Sequence, residues 1–316
     1  MEQTSTNSNM AFRPRRIALL GTGLMGLPMG LRLLAAGHQL HVWNRTAAKA
    51  AMLMQQGAVL ASDPAHAVAD GEWQAELIIS MLDSGPIVAQ VLEQSAAAWR
   101  KGMCVIDMSS SRQSEALALS ARCEASGLAF ADAPVSGGVA GAQAGTLAIM
   151  VGARPEVFAE LEPVLQALGR PALVGPPGSG QLAKLCNQLI VGGTIQLVAE
   201  ALLLAQAGGA DPAAVRTALR GGFAESRILE LHGQRMLERN FIPGGQVKTQ
   251  AKDMRNIQAA ADAAGLQLPA TALIAQLFSE LETHIATADH SAALLQLEMM
   301  NPGQRLGLQH NNLPES

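Results

Sequence analysis

The feature that most constrains this chain is a short apolar run that ends on a glycine-spaced turn. Ile17-Ala18-Leu19-Leu20 leads into Gly21-Thr22-Gly23-Leu24-Met25-Gly26, a G-x-G-x-x-G spacing, and a stretch of helical character follows to Ala36. Strand, turn and helix in this order make the first half of a βαβ unit. Gly21 permits the tight turn, Gly23 lets backbone approach a pyrophosphate, and Gly26 lets the helix pack closely on the strand. The helix N-terminus then offers free N–H groups and a positive dipole end to the anion. Gly21 to Gly26, with Thr22, Leu24 and Met25 between the glycines, is a candidate dinucleotide cradle. A glycine turn without a ligand is the alternative.

The rest of the first half keeps the same rhythm. Apolar runs at Leu40–Trp43, Leu77–Met81, Val105–Asp107, Ala129–Asp132, Leu147–Val151 and Ala172–Val174 read as strands. Helical stretches such as Leu24–Ala36 and Ser114–Ser126 lie between them, stopped by Gly37 and Gly127. Such alternation predicts an α/β fold with a doubly wound parallel sheet. At Gly175-Pro176-Pro177-Gly178-Ser179-Gly180 the pattern changes. Beyond it the strand signals stop, and Gln181 to about Ala207, Asp211–Leu219, Gln246–Ala264 and Pro269–Ala288 read as helices. The expected organisation is a tail over 1–12, a dinucleotide-binding (Rossmann) domain over 13–177, an all-α domain over 178–301 and a second tail over 302–316.

Composition narrows the function classes. A net charge of −4 offers no basic footprint for nucleic acid. No apolar run approaches the ~20 residues of a membrane span, and the polar first twelve residues lack the apolar stretch of a signal peptide. Three widely spaced cysteines, Cys104, Cys123 and Cys186, fit reduced thiols of a cytoplasmic protein. The histidines show no metal-ligand spacing, so no metal is expected. With no tyrosine in the chain, a Tyr-Lys catalytic pair is excluded.

The second strand ends at Trp43-Asn44-Arg45-Thr46, where NAD-binding folds place an acidic residue for the ribose hydroxyls. Asn44 removes that carboxylate, while Arg45 and Thr46 supply a cation and a hydroxyl suited to a 2′-phosphate. NADP(H) is therefore expected over NAD(H), unless Arg45 is merely a solvated cation.

Two later motifs carry the chemistry. In Asp132-Ala133-Pro134-Val135-Ser136-Gly137-Gly138, the Ser-Gly-Gly turn exposes N–H groups and a hydroxyl that suit a carboxylate, although it also reads as a plain connection. In Gly178-Ser179-Gly180-Gln181-Leu182-Ala183-Lys184-Leu185-Cys186-Asn187, a lysine falls early in a strongly apolar helix, where it is costly unless paired or used. Lys184 is the candidate acid/base and Asn187, three residues on, shares its face; a lysine snorkelling to solvent is the alternative. Lys248, Lys252 and Asp253 are equally compatible with a cofactor clamp and a solvated face. Ser109 and Ser110, after a strand, sit where ligands bind or where a helix is capped.

Together the motifs Gly21–Met29, Asp132–Gly138, Gly178–Asn187 and Lys252–Asp253 resemble, in order and spacing, the β-hydroxyacid dehydrogenases, the family of 3-hydroxyisobutyrate and 2-hydroxy-3-oxopropionate (tartronate semialdehyde) reductases. The resemblance runs from about Ile17 to Asn301. It implies an NAD(P)-dependent oxidoreductase with Lys184 as catalytic residue, Asn187 orienting the substrate, and Ser136, Gly137 and Gly138 holding its carboxylate. It further implies Ser110, Leu82, Asp83 and Lys252 on the cofactor, with Ser110 standing where the family has Thr and Leu82-Asp83 where it has Leu-Pro. The implied partner is a small carboxylated aldehyde or hydroxyacid, and the implied assembly a homodimer or homotetramer. The segments Gly221–Leu229, His232–Met236 and Asp289–Ala292 are most similar to the tartronate semialdehyde reductases. Succinate semialdehyde, glyoxylate and 3-hydroxyisobutyrate enzymes stand behind them. Imine reductases share the architecture but replace the lysine, and a non-catalytic nucleotide sensor would not need Lys184 and Asn187.

Overall fold

The computed structural model describes residues 13–314. Its contacts divide the chain into two compact units, one ending at Lys184 and the other beginning at Leu185. The division falls inside one helix, Ser179–Ala207. The segment 1–12, expected to be a tail, lies outside the described residues.

In the first unit a sheet runs in the order Gly169–Gly175, Leu147–Gly152, Ala129–Asp132, Cys104–Asp107, Leu77–Ser80, Arg16–Leu20, Gln39–Trp43, Val59–Leu60. Alternate residues of one strand serve opposite faces, as period-2 geometry dictates. Ile17 and Leu19 pack into one core with Met29, Leu33 and Ile79, and Ala18 and Leu20 into another with Ile78, Val88 and Val105. All four residues of Ile17–Leu20 are fully buried, which is why the strand reads as a continuous apolar run. The sheet is parallel from Ala129–Asp132 through Val59–Leu60. At the other edge it is mixed, because Leu147–Gly152 runs antiparallel to Ala129–Asp132 and to the short strand Val135–Ser136. The expected doubly wound parallel sheet is thus present, parallel-dominated with one mixed edge. Ala129–Asp132 and Val135–Ser136 are joined by only Ala133 and Pro134, and no crossover helix separates Val135–Ser136 from the strand it meets beyond the short Gly138–Ala144 helix.

The strand order reverses between Arg16–Leu20 and Leu77–Ser80, the position at which open α/β sheets leave a crevice at their carboxyl edge. The glycine turn lies there.

The second unit is helical among the described residues, with isolated bridges only at Asn240–Asn312 and Gln246–Asp289. Ile195, Ala199, Leu202, Met236, Phe241, Phe278 and Leu294 form its core. Residues 302–314, read as a tail, fold back onto it. The reason is Arg239, only 1% exposed, which must find partners when desolvated. Its guanidinium makes a bidentate pair with Glu298 at 2.7 and 2.7 Å, reaches the Leu306 carbonyl at 2.7 Å and the Asn311 Oδ1 at 2.6 Å.

A second expectation is corrected by the helix Ser179–Ala207. By length and composition it is apolar enough to cross a membrane, with a mean hydropathy of 1.7 over its most apolar window. Scattered Gln, Asn, Thr and Gly break the apolar run without adding charge, so counting uninterrupted residues misses it. Its buried positions Ile195, Ala199 and Leu202 are spent on the unit's own core.

Candidate active site

The three motif glycines meet three different demands. Gly21 has φ +104°, and a Cβ there would lie 2.2 Å from the Met81 carbonyl oxygen of the neighbouring strand's exit. A Cβ on Gly26 would lie 2.0 Å from the Gly21 carbonyl, so the helix could not seat on its turn. Around Gly23 a Cβ would meet nothing within 4 Å. Only at Gly23 is the space left open, as a pyrophosphate approaching the backbone requires, and the residues present therefore fit a dinucleotide.

Asn44 does more than leave out a carboxylate. Its Oδ1 accepts the Thr22 N–H at 3.0 Å and its amide donates to the Thr46 carbonyl at 3.0 Å. Gly21 N–H donates to the Trp43 carbonyl at 2.8 Å. The end of the second strand is thus stitched to the glycine turn. Arg45 and Thr46 are exposed beside it, and Arg45 makes no ion pair among the described residues. Leu24 is 82% exposed at the turn, an unfavourable place for an apolar side chain unless something covers it.

Past the crevice, the exit of Leu77–Ser80 is fastened to the exit of Cys104–Asp107. Leu82 N–H donates to Ser109 Oγ at 2.9 Å, while Ser80 Oγ and Ser109 N–H both donate to Asp107 Oδ1, at 2.9 and 3.1 Å. Leu82 is half-buried and Asp83 exposed. Burial pushes the Asp107 carboxyl up to about 6; the bonds from Ser109 and Ser80 oppose that push and the Asp132 charge adds to it. Ser110, half-buried, is held between two buried serines.

The Ser-Gly-Gly and lysine motifs meet through a residue that sequence reasoning treated only as the start of a motif. Asp132, fully buried, accepts the Gly178 N–H at 2.6 Å and the Gln181 N–H at 2.7 Å. It caps the first turn of Ser179–Ala207 from another strand, setting a negative charge against the positive end of the helix dipole. Burial raises its pKa, with the Gly178, Gln181 and Gly180 N–H groups pulling the other way. Gly180 has no room for a side chain, since a Cβ would lie 2.4 Å from the Asp132 carbonyl oxygen and 2.5 Å from that of Met150. Ser136 is half-buried at the end of its short strand; Gly137 and Gly138 follow exposed, at φ +135° and +62°. Lys184 is half-buried, one turn after Gln181. Gln181 was also passed over: a lone glutamine has no local signature for a long-range bond.

In the second unit, Asn187 donates to Gln188 Oε1 at 2.9 Å and Gln188 donates to Asp253 Oδ2 at 2.8 Å. Lys252 lies 3.7 Å from Asp253 Oδ1 and Gln250 donates to the Gln188 carbonyl at 3.1 Å. The Lys-Asp motif and Asn187 are therefore joined through Gln188. Lys248, also considered from sequence, is exposed.

Comparison with known proteins agrees with these motifs. The profile of the NAD binding domain of 6-phosphogluconate dehydrogenase matches residues 16–195, and that of the NAD-binding region of NADP-dependent 3-hydroxyisobutyrate dehydrogenase matches 178–297. The chain is 41% identical over 290 residues to a 2-hydroxy-3-oxopropionate reductase of Escherichia coli, covering 90% of this chain and 98% of that one. It belongs to the β-hydroxyacid dehydrogenase family. As such it is an NAD(P)-dependent oxidoreductase acting on a CH–OH group with a nicotinamide cofactor. A 3-hydroxyisobutyrate dehydrogenase of Pseudomonas aeruginosa is 36% identical over 274 residues, covering 83% and 91% of the two chains. The solved 3-hydroxyisobutyrate dehydrogenase of Mycobacterium tuberculosis, described with L-serine, superposes with a TM-score of 0.83 at 28% identity and covers 90% of this dehydrogenase and 99% of that chain.

Proposed function

We propose that this dehydrogenase reduces tartronate semialdehyde to glycerate with NADPH, using Lys184 as the general acid. The observation that carries the substrate is the 41% identity across 98% of a 2-hydroxy-3-oxopropionate reductase. The bound dinucleotide supplies the hydride. The chain's own groups do the rest. Lys184 Nζ gives a proton to the oxygen that becomes an alkoxide, which has to be neutralised as the carbonyl is reduced. Ser136 Oγ and the N–H groups of Gly137 and Gly138 hold the carboxylate, and Asn187 orients the substrate. Arg45 and Thr46 receive the 2′-phosphate; Leu82, Asp83, Ser110 and Lys252 bound the cofactor. The exposure of Arg45 without an ion pair supports the preference for NADPH.

The enzyme is further inferred to work as a cytoplasmic homo-oligomer through its helical unit. Ile190, Leu197 and Leu204, spaced seven residues apart on one helix, are 68%, 66% and 74% exposed, which supports a covered face there.

A steady-state screen of tartronate, methylmalonate and succinate semialdehydes, glyoxylate, 3-hydroxyisobutyrate and uncharged aldehydes with both cofactors tests the reading. Tartronate semialdehyde with NADPH is expected to give the highest kcat/KM. Lys184→Ala is expected to lose ~10²–10⁴-fold in kcat, the usual worth of a positioned acid. Arg45→Ala is expected to shrink the NADPH preference by ~10–150-fold, corresponding to one charge-assisted contact. A preference for neutral aldehydes, or equal use of the two cofactors, would overturn the corresponding assignment.

A further inference from the structure

The buried side chain of Gln181 bridges two parts of the first unit that the chemistry needs in register. Its Oε1 accepts the Ser111 N–H at 3.0 Å and its Nε2 donates to the Ser109 carbonyl at 2.8 Å. Both ends of one amide are thereby spent on a three-residue loop, one bond on each side of Ser110. The loop's other side is fixed too, because Ser109 Oγ accepts Leu82 N–H and Ser109 N–H donates to Asp107. Gln181 itself is held by its own N–H on Asp132 and lies one helical turn before Lys184. It is fully buried, so no water can replace either bond.

We propose that Gln181 is a positioning residue that locks the Ser109–Ser111 loop to the helix turn carrying Lys184. The inference rests on the reading that Ser110 borders the nicotinamide and Lys184 is the proton donor. A side chain offering one donor and one acceptor at this length is required. Glutamate keeps the acceptor and loses the donor, asparagine is one methylene too short to reach both groups, and leucine supplies neither. Because the loop and the lysine turn hang on one amide, loosening it shifts two reacting groups relative to each other, and small misplacements are costly in rate.

The test compares Gln181→Glu and Gln181→Leu with the wild type. Three things are measured: kcat and KM for tartronate semialdehyde and NADPH, the primary isotope effect with deuterated NADPH, and amide hydrogen exchange of the cofactor-free protein over residues 109–112 and 178–184. Gln181→Leu is expected to lose roughly 10²-fold in kcat, with KM for NADPH within about threefold and a larger isotope effect. Faster exchange at the Ser111 amide is expected without cofactor. Gln181→Glu should fall between, because it keeps the bond to Ser111. A fall in kcat with an unchanged isotope effect reports only a smaller folded fraction and would overturn the proposal. So would wild-type kcat in Gln181→Leu, or unaltered exchange at Ser111. Lys184→Ala run in parallel separates the two ideas: wild-type kcat there removes the acid/base reading, while the exchange data still decide whether Gln181 pins the loop.

Discussion

Two buried carboxylates, Asp107 in the sheet unit and Asp289 in the helical unit, are almost equally hidden from solvent, at 1% and 0% exposure, yet they are shifted in opposite directions. Asp107 Oδ1 takes two neutral donors, Ser80 Oγ and Ser109 N–H, and burial prevails. Burial also pushes Asp289 upward. There it is overcome by His232, whose Nδ1 stands 3.6 Å from Oδ1, the nearby His290, the Ser291 hydroxyl and the Gly244 N–H, which hold the carboxyl well below the ordinary range. Ser291 N–H and Oγ fill Oδ1 at 3.0 and 2.6 Å, and Gly244 and Gly245 N–H fill Oδ2 at 2.8 and 3.2 Å. Arg235 stands 3.7 Å from Oδ2. Burial alone therefore does not decide a buried group's charge; the number of donors and the sign of the neighbours do.

The same inventory explains what the cluster of His232, Asp289 and His290 is for. Their ligand atoms lie within 4.8 Å of one another, a spacing compatible with a metal ion. Four donors already fill the carboxylate, and a guanidinium stands beside it. The cluster anchors the Phe241–Gly245 turn to the segment at Asp289, as the Asp289 N–H to Phe241 carbonyl bond at 2.8 Å also does.

Asp289→Ala strikes this contrast hardest. It strands His232, Arg235, the Ser291 hydroxyl and two turn N–H groups at once, and an expected loss of ~3–5 kcal/mol in urea unfolding follows from removing one partner of a buried charged cluster. A loss under about 1 kcal/mol would mean that the donors find other partners. Asp132→Asn should cost less, ~1–3 kcal/mol, because one oxygen becomes an NH2 group facing the N–H of Gly178 or Gln181. Hydrogen exchange at Gly178 and Gln181 should accelerate in that variant, and unchanged exchange would remove Asp132 as the cap.

The pH dependence of stability sharpens the comparison further. Burial lowers His290 to about 4, with the His232 and Arg235 charges lowering it further and the Asp289 charge opposing. Below 6.5 the unfolded chain binds a proton that the folded one refuses, so His290 removes stability as pH falls from 6.5 to about 4. Asp107 does the reverse: its folded value of about 6 lies above the ordinary 3.8, so the folded state binds the proton first and stability declines as pH rises from 3.8 to about 6. The two slopes oppose each other between pH 4 and 6. In urea titrations across that range, Asp107→Asn should steepen the acid loss and His290→Gln should flatten or invert it. Parallel profiles for all three proteins would refute the assignment. The smallest effect expected is Asp107→Asn at pH 7: Asn keeps an oxygen for Ser80 and Ser109 and removes a desolvated charge, so stability should change by no more than ~1 kcal/mol, toward stabilisation.

How far these features were legible varies with the range of the interaction. The strand Ile17–Leu20, its turn and the helix after it could be read directly because every residue involved is within ten positions of the next. Gly37 and Gly127, expected to end helices, do so at φ +88° and +74°. The Asn187 side chain could be placed on the Lys184 helix, but not its bond to Gln188 or the onward link to Asp253. Arg239 was hidden more deeply: a surface-type residue in a left-handed conformation at φ +52° that draws residues 306–312 onto itself across some seventy positions.

By itself the sequence determined the α/β first half, the helical second half, the dinucleotide turn and the candidate chemical groups, because these follow from local periodicity, glycine spacing and residue chemistry. Only the tertiary structure decided that one edge of the sheet is mixed and that the C-terminal segment is packed. It alone paired Asp132 with the lysine helix and Gln181 with the serine loop. The reason is physical: a buried polar group must be satisfied by whatever donor or acceptor the fold brings within about 3 Å, and that partner can sit anywhere in the chain.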